Sequence, residues 1–142
     1  MPARPASEWR CAQSCTRVAH EARYNLIARP GSSRYQNSTA FIAELIAAAQ
    51  LPQDSPNRAQ AQAMLAAQGF APDVLHIPYA KRVLGGLFAA NIVFTDHSLA
   101  TRLEGRYPVV TVRAIKAHLR ALDLILAQRE FRGGEAVEPG AL

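Results

Sequence analysis

The sequence predicts an α+β fold, a small antiparallel or mixed sheet of about three short strands packed against about four helices. Three observations carry this. A length of 142 residues suits one hydrophobic core. The apolar fraction of 49% is that of a globular chain, and with only 7% aromatic residues the core must be built from Leu, Ile, Val and Ala. The order of patterns is strand, helix, helix, strand, helix, strand, helix, which holds too few strands for a doubly wound parallel sheet. Composition divides the chain into a mobile N-terminal extension over residues 1–22, a globular domain over 23–130 and a disordered tail over 131–142.

Residues 1–22 mix Arg, Ala, Pro, Ser and Cys without helical or strand periodicity. Arg23 to Arg29 alternates loosely and reads as a strand ended by Pro30-Gly31. A loop through Arg34 and Tyr35 leads to Asn37 and Ser38, either of which suits the N-cap of a helix. Phe41, Ile42, Leu45, Ile46 and Ala49 recur along that helix at helical spacing and form its expected buried face, and the helix stops before Pro52. Ser55 and Pro56 offer a cap and a first turn for a second helix, which Gly69 ends at C′. That helix is alanine-rich, with a thin apolar face.

Asp73 to Pro78 reads as a short strand, and Ala80 to Ala90 as a helix interrupted by Gly85-Gly86. Thr95 to Ser98 has turn and cap chemistry, with Asp96 placed to cap the short helical piece Leu99 to Leu103. Tyr107 to Val112 reads as a strand with Pro108 near its start. Ile115, Leu119, Leu122 and Leu126 mark the apolar stripe of a last helix, capped by Thr111 or a neighbour and ended by Gly133-Gly134.

The net charge of +5 sits largely before residue 36, where six arginines face two glutamates. The globular part is near neutral, so the basic stripe that nucleic-acid binding requires is missing, and no nucleic acid is expected. The apolar run Ala40 to Leu51 is broken by Glu44 and Gln50 and falls short of the roughly 20 residues of a bilayer span. No apolar signal segment opens the sequence, so the chain as written is expected in the cytoplasm. Cys11 and Cys15, with His20, fall short of the four ligands of structural zinc and read as free thiols; no metal and no cofactor is expected.

Candidate chemistry gathers where the basic, amide-rich turn runs into the first helix. Ser38 is a candidate nucleophile, with His97 as base and Asp96 beside it, although neighbours in sequence start with divergent side chains. The bland alternative makes Ser38 an N-cap. Tyr35, Gln36, Asn37 and Glu44 are candidate binding residues, with Glu44 either paired to an arginine at the edge of the buried stripe or bonded to Tyr35 or Asn37. His76 reads as half-buried on its strand and His118 as solvated.

The run Arg23-Tyr24-Asn25-Leu26-Ile27-Ala28-Arg29-Pro30, with Ser33-Arg34-Tyr35-Gln36-Asn37-Ser38 and Phe41-Ile42-Ala43-Glu44, resembles a family of uncharacterised bacterial proteins labelled domain of unknown function 2145. His76-Ile77-Pro78-Tyr79 and Phe94-Thr95-Asp96-His97-Ser98 resemble it too, so the likeness covers roughly residues 23–127. The resemblance implies longer, exported relatives with sequence ahead of Tyr24. Residues 1–22 resemble none of that, which marks the chain as an N-terminally truncated member. A restored signal would move it to the periplasm or outside the cell.

More distantly the chain is similar to permuted papain-like (NlpC/P60-type) hydrolases, which carry an Asn-Cys step at the head of a buried helix. Asn37-Ser38 stands in the comparable place, with serine for the thiol that a helix N-terminus would activate. The resemblances imply an inactive, truncated relative of papain-like hydrolases. The alternatives are an active hydrolase using Ser38 with His97, or a non-catalytic module that binds a partner or itself through uncovered apolar surface.

Overall fold

A computed structural model of the protein describes residues 20–52, 55–125, 127–132 and 135–137. The expected strand over Arg23 to Arg29 is absent, and only an isolated parallel bridge joins Tyr24 to Gln36. Asn25 is the reason. Its carbonyl accepts from Ala28 N at 2.9 Å and its Oδ1 from Ile27 N at 3.3 Å, so the chain turns over on itself just where a strand would continue.

Helix α1 (Ser38–Ala48) is capped by Asn37, whose side chain accepts from Ala40 N at 2.7 Å. Its buried face is Ala40, Ala43, Glu44, Ala47 and Ala48. Of the larger residues expected there, Ile42 is turned outward and 46% exposed, and Phe41, Leu45 and Ile46 are only half-buried, while Ala47 is 0% exposed. The small side chains let α1 lie close against α2 (Arg58–Ala67), which packs the fully buried Ala61 into the same seam. Helix α2 starts later than Ser55 suggested. Asn57 and Gln60 form a reciprocal capping box, and Pro56 is buried ahead of the helix. Gly69 follows the helix at φ +72, where a left-handed C′ glycine is expected.

The sheet has two strands. β1 (Asp73–His76) pairs antiparallel with β2 (Arg106–Val109), setting Asp73 opposite Val109 and His76 opposite Arg106. Their connection holds helix α3 (Tyr79–Phe88), a 3-10 turn (Phe94–Asp96) and helix α4 (Leu99–Glu104). Ser98, not Asp96, caps α4 by accepting from Thr101 N at 3.2 Å. Helix α5 (Val112–Ala121) is capped by Thr111. It ends well before Gly133 because Asp123 adopts φ 53 and Leu124 N reaches back to Leu119 O at 2.9 Å, closing the last turn. Beyond it, β3 (Glu130–Arg132) and β4 (Glu135–Val137) pair antiparallel and overlap the segment 131–142 expected to be a disordered tail.

The architecture is α+β. One core cluster joins Ala40 and Ala43 of α1 to Val110 and Ile115, with Leu65, Phe70 and Leu119 packed on it. A second joins Ile27 to Tyr107 and Val109, with Ile77, Ile92 and Phe94 around them. The irregular segment 25–37 lies between the two, and that is where the polar candidates collect.

Candidate functional site

Among the described residues six polar or charged ones are buried: Asn25, Ser32, Gln36, Asn37, Glu44 and His97. Buried polar groups require partners, and these find them chiefly in one another and in nearby backbone. Asn25 clasps Val93 with both ends of its amide, donating to the carbonyl and accepting from the N–H, each at 2.9 Å. Asn37 caps α1 with its oxygen, and its nitrogen donates to Leu26 O at 3.2 Å and Val110 O at 3.3 Å. Thr39 Oγ1 adds a 2.5 Å bond to the same Val110 carbonyl. The head of α1 is thus pinned to the end of β2.

Glu44 lies at the centre of a second group. Arg58 approaches it with Nε at 2.7 Å and Nη2 at 3.3 Å, Gln36 Nε2 donates at 2.5 Å and Gln62 Nε2 at 2.9 Å. Of the two sequence readings of Glu44, the pairing with an arginine is the observed one. Its link to Tyr35 is indirect, through Arg58 Nη2 on the Tyr35 carbonyl at 2.9 Å. Arg58 and Gln62 were missed from sequence, although their four-residue spacing places both on one face of α2.

Asp96 and His97, adjacent in sequence, diverge to different partners. Asp96 accepts from Ser32 Oγ at 2.7 Å through one oxygen and from Arg29 N at 2.8 Å through the other. His97 is 4% exposed, stands edge-on to Tyr107 at 5.0 Å, and its Nε2 lies 2.6 Å from Ile27 O. A carbonyl oxygen only accepts, so Nε2 carries the hydrogen and donates. Nδ1 is buried without a partner.

Ser38 is elsewhere in character. It is the first residue of α1 and exposed, and among the described residues no histidine is hydrogen-bonded to its Oγ. His20 instead meets Phe41 edge-on at 6.0 Å. Two further histidines depart from expectation. His76 is exposed, and His118 is half-buried against Phe70 at 5.1 Å and Gln68 at 3.2 Å. Among the described residues no three His, Cys, Asp or Glu side chains gather as metal ligands would, and Cys11 and Cys15 lie outside those residues. No helix among them is long and apolar enough to cross a membrane.

Beside the second core cluster, α3, α4 and β2 line an open cavity of about 330 Å³. Tyr79, Val83, Leu99 and Leu103 line it, with Phe94 and Tyr107 as its floor and, among the described residues, Arg82 and Arg102 as its only charged lining groups. Its rim is unusually bare: Tyr79 is 73%, Leu99 64% and Leu103 74% exposed. Sequence did not mark this groove, because α4 and β2 contribute half of it.

No curated protein and no solved structure matches the chain. A family model described as "Uncharacterized protein conserved in bacteria (DUF2145)" matches residues 9–119. The match takes in every candidate site residue, and it starts at residue 9, inside the stretch that sequence reading set apart from the family. The chain belongs to that bacterial family.

Proposed function

We propose that this protein is a non-catalytic relative of the papain-like hydrolases that works as an interaction module, binding another polypeptide in the groove between α3 and α4. The observation that carries the first half is the engagement of His97. A general base for Ser38 must offer a ring nitrogen within hydrogen-bond reach of the hydroxyl. Here Nε2 donates to Ile27 O and the buried Nδ1 has no partner, while Ser38 stands exposed at the head of α1. Asp96 orients Ser32 and Arg29 instead of His97. Without a positioned base a serine hydroxyl is a weak nucleophile, and the local helix dipole does little for it.

The bare apolar rim of the groove supports the second half, since exposed contiguous apolar surface marks interaction sites. A second copy is the less suited occupant. In a two-fold pairing of groove against groove, Arg82 and Arg102 of one protomer would face the same arginines of the other.

Intact-mass analysis after treatment with a fluorophosphonate probe tests the non-catalytic reading. Wild type and Ser38→Ala should remain equally unlabelled. Stoichiometric labelling of wild type that disappears in Ser38→Ala would establish an activated serine and reverse the conclusion.

A further inference from the structure

We propose that the groove between α3 and α4 recognises an acidic, apolar peptide segment of a partner protein, with Arg82 as its carboxylate reader. This rests on the reading of the chain as an interaction module and names the chemistry of what it binds. The argument starts from Arg82. Its Nη1 donates to the Arg102 carbonyl, and its guanidinium lies 5.4 Å from the centre of the Tyr79 ring. Its Nε is buried and has no acceptor. Among the described residues neither Arg82 nor Arg102 is paired with a carboxylate.

A guanidinium held in place yet short of an acceptor is unusual, because a shielded donor without a partner is destabilising. Nη2, which makes no hydrogen bond among the described residues, is the donor left for a carboxylate that enters the groove, with Arg102 as the second charge there. Gly105 backs the guanidinium closely, since a Cβ there would lie 3.5 Å from Cζ and 3.6 Å from Nη2.

The surroundings favour a peptide over a free anion. A small anion would leave the apolar walls uncovered, whereas a peptide sets apolar side chains against Tyr79, Leu99 and Leu103 while its carboxylate reaches Arg82. The charge pattern agrees. Helix α3 carries Lys81 and Arg82 and no acidic residue, and among the described residues no carboxylate lines the cavity. Asp96, the nearest acid in sequence to the floor residue Phe94, is held by Ser32 and Arg29.

Selection of a displayed random-peptide library on the whole chain, followed by fluorescence anisotropy with an enriched peptide, tests this. Enriched peptides should carry Asp, Glu or a terminal carboxylate beside apolar residues. Arg82→Ala, Arg102→Ala and Leu103→Ser should each weaken binding, Arg82→Ala about tenfold or more. Affinity should also fall as salt rises. Circular dichroism monitors folding, and Leu103→Ser, at a site 74% exposed, keeps the test readable if Arg82→Ala unfolds the domain.

Neutral or basic peptides that lose binding with Leu103→Ser would overturn acid recognition and leave the interaction module standing. Acidic peptides indifferent to all three variants would also overturn the proposal, as would sedimentation with phosphatidylglycerol vesicles in place of peptide binding. A concentration-dependent dimer abolished by Leu103→Ser, with no peptide enriched, would make a second copy the occupant and overturn it too. No enrichment, no dimer and no vesicle binding would sink the module reading with it.

Discussion

Asn37 meets α1 with φ −102 and ψ 168, which lays its side chain over the free N–H groups of the first turn. Ser38, one residue on, is already helical and faces solvent. Asn37→Ala should therefore lower stability by about 1–2 kcal/mol for the cap, with a further cost for the carbonyls of Leu26 and Val110 that lose their donor. Ser38→Ala should stay within about 0.5 kcal/mol of wild type. Urea denaturation of the two variants measures both. Glu44 is a stronger case. It is 3% exposed and its partner Arg58 is 13% exposed, so Glu44→Ala leaves a guanidinium buried without its carboxylate and should cost about 3–5 kcal/mol. At this scale the sequence singled out Gln36, Asn37, Glu44, Asp96 and His97 but passed over Asn25, Ser32, Arg58 and Gln62, and it did not record what any of them touch. Asp96 and His97 find partners 64 to 70 residues away, and no local pattern records such a meeting.

Among the elements, the helices were the legible part and the first strand was not. Caps, breakers and helical spacing are local, so α1, α2, α3 and α4 were expected close to where they stand and α5 at its start but not its end, whereas the side of α1 that is buried depends on its neighbour. Alanine is a weak hydrophobic signal, yet the fit between α1 and α2 selects the alanine stripe over the Ile42 side. Gly105 turns the chain from α4 into β2 at φ +70, and a Cβ there would stand 2.9 Å from the Ile77 carbonyl. Gly105→Ala should accordingly cost more than about 1 kcal/mol, read as a lowered melting temperature.

Asp73 links the start of β1 to α5. Hydrogen bonds from Arg113 and then from Thr111 hold its carboxyl below the usual carboxylate range. A folded-state value below the unfolded one contributes stability above the ordinary aspartate range and loses it as pH falls through the folded value. Wild type should exceed Asp73→Asn in stability at neutral pH, and the gap should close on acidification. A gap that stays constant with pH would show that the carboxylate charge is not what matters.

For the whole molecule, the α+β class was readable from the count and order of patterns, but the number of strands was not. The missing strand is replaced by the irregular segment 25–37, which the buried amides of Asn25 and Asn37, the hydroxyl of Ser32 and the Asp96-His97 pair bind to β2 and to the 3-10 turn. The family signature falls largely on this clasp. Read from sequence, its residues look like a reactive constellation; read in three dimensions, they join distant parts of the chain. The molecule should run as a monomer by light scattering at micromolar concentration, because two copies paired groove to groove would set like charges against each other. A dimer that dissociates in Leu103→Ser would contradict that.

The most direct test of the structural role of these residues is the hydrogen on His97, read by long-range proton–nitrogen correlation NMR. With Nε2 donating to Ile27 O, Nε2 must be the protonated nitrogen, and its proton should exchange slowly with water. A His97 ring protonated at Nδ1, with Nε2 bare and its protons exchanging freely, would place a base in reach of chemistry and contradict the account.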